Sequence, residues 1–288
     1  MGGLESRVQT VLEPLRISCT WPVYRATAPD GRAVFVKVAP RDRIERTKAF
    51  LAVADDCPTL PKLVPLDIPE LAGRDYICLE WMDAERVNAE DMTDAQADGL
   101  LAGYLELSSV MVRATGGMIM PPPPEETCER LYADVAGYAR RHPLVGRLIA
   151  PLVEIPEPER TYCGRATVTI HGDLQPKNYG FRGDRLAAVF DIDGLTKGLA
   201  CEDLAYAFTE RCRRAELSAA KRRRLADLFL RVVRASPWPQ GDWLFAVNRD
   251  RLRIAARRVA SHPRSPLTAF DIARRDRPLR RLAELLRD

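Results

Sequence analysis

Apolar and polar positions alternate with two different periods along this chain, and the change of period divides it. Val23 to Ala28 and Ala33 to Val38 are short β-branched or apolar stretches on either side of Pro29-Asp30-Gly31, which predicts a hairpin. Asp75 to Glu80 predicts a further strand, with a helix over Arg43 to Ala54 between them and prolines 58, 61, 65 and 69 along the connecting path. A short helix from Leu4 to Leu15 is expected ahead of this sheet. From Met92 the period lengthens: Leu100, Leu101, Tyr104, Leu105 and Ser108 recur at helical spacing, and Pro121 to Pro124 form a stiff connector before a helix from Glu125 to about Arg141. Strand character returns in Val168-Thr169-Ile170, Tyr179 to Phe181 and Leu186 to Phe190, the last two flanking Arg182-Gly183-Asp184-Arg185 as a second hairpin. Thereafter helical stripes dominate, Leu225, Leu228, Phe229, Val232 and Val233 in one and Leu252, Ala255, Ala256 and Val259 in another.

This pattern predicts an α+β molecule of two lobes: a small antiparallel-sheet lobe over residues 1–84 and a larger, mostly helical lobe over residues 85–288. Composition agrees with a globular chain, since 46% of the 288 residues are hydrophobic and 29% charged. No apolar run reaches the ~20 residues that cross a bilayer, and the first ten residues lack the apolar core of a signal peptide, so a cytoplasmic protein without membrane insertion is expected. The N-terminal Met-Gly-Gly-Leu-Glu-Ser fits a myristoylation pattern, but no basic segment follows it to supply a second membrane signal. The seven cysteines are scattered without a CxxC pair, which predicts buried free thiols.

Charge changes the picture more than composition does. The net charge is only +4, yet residues 211–288 hold 21 Lys/Arg against 8 Asp/Glu, a net of +13, which leaves −9 on the rest of the chain.

The chemistry is concentrated in two short segments. Ile170-His171-Gly172-Asp173-Leu174-Gln175-Pro176-Lys177-Asn178 places an acid and an amide five residues apart, as in the kinase catalytic loop. The hairpin that starts at Asn178 returns at Phe190-Asp191-Ile192-Asp193, so Asn178 and Asp191 are expected at one mouth. An amide oxygen and a carboxylate suit Mg2+, which binds through one or two protein groups and substrate phosphates, and Asp173 is then free to accept a hydroxyl proton.

These residues resemble the aminoglycoside phosphotransferase and choline kinase superfamily, whose fold is protein-kinase-like. The family's "HGDLHPGN" loop is matched by His171 to Asn178, its "IDFD" strand end by Phe190 to Asp193, and its trailing "DLA" by Asp203-Leu204-Ala205. The resemblance implies Asp173 as catalytic base, Asn178 and Asp191 as magnesium ligands, His171 as a loop-shaping residue and Asp203 as a structural acid. Lys37, in Val34-Phe35-Val36-Lys37-Val38, is similar to the nucleotide-phosphate lysine of the third kinase strand. The helix glutamate that pairs with that lysine is less plain: Glu45 is available, but Thr47 falls at the expected position. The segment Ser18-Cys19-Thr20-Trp21-Pro22 has no glycine, so Ser18 and Thr20 take the place of a glycine-rich phosphate cover, and Leu79-Glu80-Trp81-Met82 resembles the purine-binding hinge, with Glu80 and Met82 at the nucleotide. Only a dozen residues separate Asp191 from Asp203, too few for a peptide-docking activation loop.

The implied activity is transfer of phosphate from ATP or GTP to a hydroxyl of a small molecule. Arg249, Arg253 and Arg257 lie in line on one helix, with Trp238 and Trp243 near in sequence, and are expected at the acceptor. A +13 segment there disfavours polycationic aminoglycosides and favours a neutral or anionic acceptor such as a sugar, a sugar acid, a lipopolysaccharide core unit or a nucleoside-like compound. Nucleic acid is not expected, because no recognition motif accompanies the basic residues. Two alternatives stand beside this reading. One is a catalytically weak, kinase-like nucleotide-binding protein; the other is a haloacid dehalogenase-type phosphatase with Asp191 as nucleophile and Asp193 as acid/base, although that motif ordinarily opens a doubly wound parallel domain.

Overall fold

The computed structural model describes residues 12–15, 21–116, 125–162, 164–214 and 216–287. Four antiparallel strands form the first sheet in the order β1 (Glu13–Pro14), β2 (Val23–Thr27), β3 (Ala33–Val38) and β4 (Tyr76–Glu80). Of the helix expected over Leu4 to Leu15, residues 13–14 are instead strand, paired with Tyr24 and Arg25, and most of the rest lies outside the described residues. The alternation of β3 sorts its side chains. Val34 and Val36 are buried with Ala26, Cys78, Ile68 and Leu71, while Phe35 and Lys37 point to the opposite face. Register then sets Leu79 opposite Phe35 and Ile77 opposite Lys37, so one face of the sheet is an apolar surface with a single ammonium at its end.

Helix α1 (Arg41–Val53) lies between β3 and β4 in sequence and buries Ile44, Thr47, Phe50 and Leu51 along one stripe. Helix α2 (Asp94–Ala114) begins at a capping box in which Thr93 accepts from the Gln96 backbone and Gln96 accepts in return from the Thr93 backbone. Next come α3 (Glu125–Arg141) and the short turns α4 (Pro143–Gly146) and α5 (Ala150–Val153). Strand β5 (Val168–Ile170) pairs with β8 (Thr196–Gly198), and β6 (Tyr179–Arg182) pairs with β7 (Arg185–Val189) as the second hairpin.

That hairpin rests on α2 at a distance only glycine permits. A Cβ on Gly103 would come within 2.7 Å of the Leu186 side chain, and one on Gly99 would overlap the Asp184 carbonyl. Helices α6 (Glu202–Cys212), α7 (Ala219–Ala235), α8 (Gln240–Ser261) and α9 (Leu267–Leu285) complete the helical part, with α8 packed against α3, α6 and α9. The main core runs without a break from Phe50 and Ile77 through Tyr104 and Leu204 to Trp243, so sheet and helices share one apolar interior. A second cluster joins α3, α8 and α9 through Tyr138, Leu252 and Ile272.

Every strand pairing among the described residues is antiparallel. This overturns the dehalogenase alternative, whose nucleophile needs the end of a parallel strand flanked by crossover helices. No described helix is long and apolar enough to cross a membrane. Cys57, Cys78, Cys201 and Cys212 are buried free thiols, as expected.

Candidate active site

The loop after β5 is shaped from beneath by a buried carboxylate. Asp203, in the first turn of α6, accepts the backbone N–H of His171 at 2.6 Å, that of Gly172 at 2.8 Å and the Tyr104 hydroxyl at 2.8 Å. Burial pushes its carboxyl above the ordinary value, against the pull of His171 and these three donors. Gly172 adopts φ +82°, and a Cβ there would stand 2.7 Å from the Gly194 carbonyl, so conformation and space both demand glycine. His171 is fully buried and braces the loop: Asp173 N–H donates to its Nδ1 at 3.2 Å, and its Nε2 bonds the Phe190 carbonyl at 2.8 Å.

Asp173 is presented half-buried at the loop's tip. Its carboxylate accepts the Gln175 amide on both oxygens, at 2.8 and 2.9 Å, and the Asn178 amide on Oδ2 at 3.0 Å. Gln175 was not among the residues expected from sequence; an amide two positions after the acid was the available signal. With Nδ2 of Asn178 donating to the Asp173 carboxylate and carbonyl, the atom that remains for a hard cation is its oxygen. Across the hairpin, Phe190 N–H donates to the Asn178 carbonyl at 2.8 Å, which brings Asn178 and Asp191 to one mouth as the spacing predicts.

Asp191 is the one described non-glycine residue with positive φ, at +61°, in the left-handed region that Asp enters more readily than most residues. Lys37 Nζ bonds Asp191 Oδ1 and lies 3.1 Å from Asp193 Oδ2, and Arg43 Nη1 reaches the same Asp193 oxygen at 3.3 Å. Burial works to raise the Asp191 carboxyl, but the charge and hydrogen bond of Lys37 prevail and hold it below the usual carboxylate value. Glu45 does not pair with Lys37; it is exposed and bonds Lys48 at 3.4 Å, while Thr47 lines the cleft. The acids that meet Lys37 are therefore Asp191 and Asp193.

These groups close one end of a cleft of about 730 Å³. Val23, Phe35, Leu79 and Phe190 line it with apolar surface, and Glu80, Trp81 and Met82 form part of its rim. An apolar slot that ends in two cations and two carboxylates suits a flat base joined to phosphates. The donor set also suits magnesium. No cluster of three His, Cys, Asp or Glu among the described residues gathers to hold a metal unaided, and Asn178 and Asp191, both lining the cleft, bring an amide oxygen and a carboxylate of the kind a hard cation shares with phosphate oxygens. Ser18 and Thr20 lie outside the described residues.

The expected acceptor residues separate into two groups. Trp243 is fully buried, edge-to-face with Phe229 and tilted against Trp238, with its Nε1–H donated to Ser236 Oγ at 3.0 Å, so it is a core residue and offers no face to a ligand. Trp238 is half-buried beside Tyr104. Arg249 pairs with Glu202, and Arg253 pairs with Asp250 at 2.5 Å while its guanidinium sits 4.3 Å over the Tyr206 ring. Burial raises the Tyr206 phenol, against the pull of Arg253, and the charges of Asp250 and Asp173 raise it further. Arg257 is exposed. Three basic residues of α7 are tied to acids: Lys221 bonds Asp91 at 2.6 Å, Arg224 bonds Asp94 at 2.6 Å, and Arg231 forks Asp98 at 2.6 and 2.7 Å.

Among solved structures, this one is similar to an aminoglycoside phosphotransferase from Alicyclobacillus acidocaldarius, with TM-score 0.61, 12% identity and coverage of 97% of this chain and 92% of the other. A macrolide 2'-phosphotransferase from Brachybacterium faecium has TM-score 0.58 at 15% identity, covering 92% of this chain and 91% of its own. An amicoumacin kinase solved with AMP-PNP, Ca2+ and its antibiotic has TM-score 0.58 at 15% identity, covering 96% and 88%. At such identities the likeness establishes the kinase-like fold. A sequence search of curated proteins found no match. The phosphotransferase enzyme family, APH, matches residues 12–244, which takes in the sheet, the cleft and the whole catalytic loop. The chain belongs to this family and is a small-molecule kinase that phosphorylates a hydroxyl group.

Proposed function

We propose that this protein transfers the γ-phosphate of ATP or GTP, with Mg2+, to a hydroxyl of a small neutral or anionic molecule. The candidate class comprises sugars, sugar acids, lipopolysaccharide core units and nucleoside-like compounds. The observation that carries the reading is the bond between the Asn178 amide and Asp173 Oδ2 at 3.0 Å, which fixes the candidate base against the candidate metal ligand. Asp173 orients the acceptor hydroxyl and takes its proton; Gln175 keeps the carboxylate aimed. Lys37 neutralises charge on the nucleotide, and Asn178 and Asp191 hold the metal, which when bound spreads the charge of the β and γ phosphates. Glu80 and Met82, at the rim, meet the base. We place the lobe boundary at residue 84, with the nucleotide between the two parts.

The acceptor class follows from the balance of charge beside Asp173. Arg253, over the Tyr206 ring, is paired with Asp250, and Arg249 with Glu202, so these acids are already matched by cations and offer no surplus negative charge to a polycation. Trp238, Arg249, Arg253 and Arg257 remain the proposed acceptor contacts. The test is a panel of hydroxylated metabolites and antibiotics assayed for magnesium-dependent phosphate transfer. Turnover confined to polycationic drugs would overturn the acceptor class. Nucleotide binding with no turnover on any hydroxyl compound, and no slow nucleotide hydrolysis, would favour the catalytically weak binding protein instead.

A further inference from the structure

A strand lysine that is to grip phosphates needs a carboxylate to hold its flexible stem in one place. Protein kinases supply that acid from the helix that follows the strand. Helix α1 supplies none here. Its inward side chains are Ile44, Thr47, Phe50 and Leu51, and its acids Asp42 and Glu45 are turned outward to Arg46 at 3.2 Å and Lys48 at 3.4 Å.

The acid comes instead from the turn after Asp191. Asp193, with a side chain 11% exposed, pairs with Lys37 at 3.1 Å and accepts Arg43 at 3.3 Å on a single oxygen, Oδ2. Arg43 stands in the first turn of α1 and lines the cleft. The tie between helix and sheet therefore has its polarity inverted: the helix brings a cation, and the carboxylate belongs to the loop.

We propose that Asp193 is the positioning residue for Lys37, standing in for the absent helix glutamate, and that it holds Arg43 as a second cation at the phosphate end of the cleft. The inference rests on the phosphotransferase reading above. Asp191 also touches Lys37, but a carboxylate committed to a divalent ion no longer attracts an ammonium strongly, and Asp193 is the partner that persists.

Asp193→Asn keeps the shape and removes the charge. Calorimetry would compare the Mg2+ complexes of ADP, GDP and AMP-PNP with adenosine and guanosine, which carry no phosphate. The expected result is a loss of about tenfold or more for the phosphorylated ligands, as when one partner of a buried ion pair is removed, with nucleoside affinity unchanged. Adding Thr47→Glu, which returns an acid to the cleft face of α1, should recover a large part of that loss. Affinities of Asp193→Asn within about twofold of wild type, or an equal loss for nucleosides and nucleotides, would overturn the inference. Arg43→Ala, at a half-buried position on the cleft wall, gives a second variant should the first not fold; it should weaken phosphorylated ligands selectively, and an unchanged affinity counts against the proposal. Wild-type protein that binds no nucleotide would instead sink the phosphotransferase reading itself.

Discussion

The backbone N–H of Asp173 donates to Nδ1 of His171, 3.2 Å away. Nδ1 must offer a lone pair for this, so the ring proton sits on Nε2 and is donated to the Phe190 carbonyl. One imidazole thus couples the candidate base to the strand end that carries Asp191. His171→Ala should loosen both and leave a buried void. Transfer should fall by about tenfold or more, and stability by ~2–4 kcal/mol, read by turnover and by urea unfolding.

Asp173→Ala should abolish transfer, by at least ~100-fold, while nucleotide affinity stays nearly unchanged, because the carboxylate serves the acceptor and not the donor. A single-turnover assay beside calorimetry separates the two quantities. Unchanged turnover would remove Asp173 from its assigned role.

Asp191→Asn should act on the opposite quantity. Nucleotide affinity should fall in magnesium by no less than the roughly 10- to 100-fold that changes around a metal ligand cost, and much less in its absence. A titration of affinity against magnesium concentration checks this, and an unaltered magnesium dependence would dismiss the metal assignment.

Tyr104→Phe removes one of three donors to the buried Asp203 carboxylate and should cost about 1.5–3 kcal/mol, with activity lowered through the loosened loop. Urea unfolding reads the first effect directly.

Burial raises the thiol of Cys78 from 9.0 to about 11 and that of Cys212 to about 12, and raises the Tyr104 and Tyr179 phenols as well. Each group is harder to ionise folded than unfolded. Their stabilising contribution is complete below pH 9, declines once the unfolded chain starts to ionise, and is lost as pH rises toward the folded values. Chemical denaturation midpoints should therefore drop between pH 9 and 11, and Cys78→Ala should flatten the drop. The same thiols should resist alkylation at pH 8 until the protein unfolds.

Much of the molecule was legible in its sequence. Alternation located β2, β3 and β4 to within a residue or so, and the Asp173 to Asn178 spacing with the following hairpin foretold a mouth that the structure closes as expected. Tertiary partners were not legible. The Asp193 contact to Lys37 and Arg43 depends on how α1 sits over a turn far away in sequence, and no local pattern encodes it. Trp243 was misread as a ligand face although Trp243 to Val247 are all buried, the mark of a helix enclosed on more than one side. The basic C-terminal third had likewise suggested a binding surface. In the fold, Lys221, Arg224 and Arg231 of α7 pair with Asp91, Asp94 and Asp98, acids from the portion of the chain that counted as negative. Part of the excess charge of two lopsided stretches of sequence is matched along one seam in space.

The contact of Gly99 and Gly103 with the second hairpin reaches further than packing. Thr93 and Gln96, at the start of α2, also hold the hairpin tip, through Asp184 Oδ1 at 3.3 Å and the Gly183 carbonyl at 3.2 Å. The hairpin is therefore clamped at its far end, and its open end carries Asn178 and Asp191. The spacing at that open end is set by a helix remote from it. An Arg-Gly-Asp-Arg turn has the look of a place where extra residues could be accommodated, yet lengthening it would lift the strands from α2 and displace Asn178 and Asp191 together.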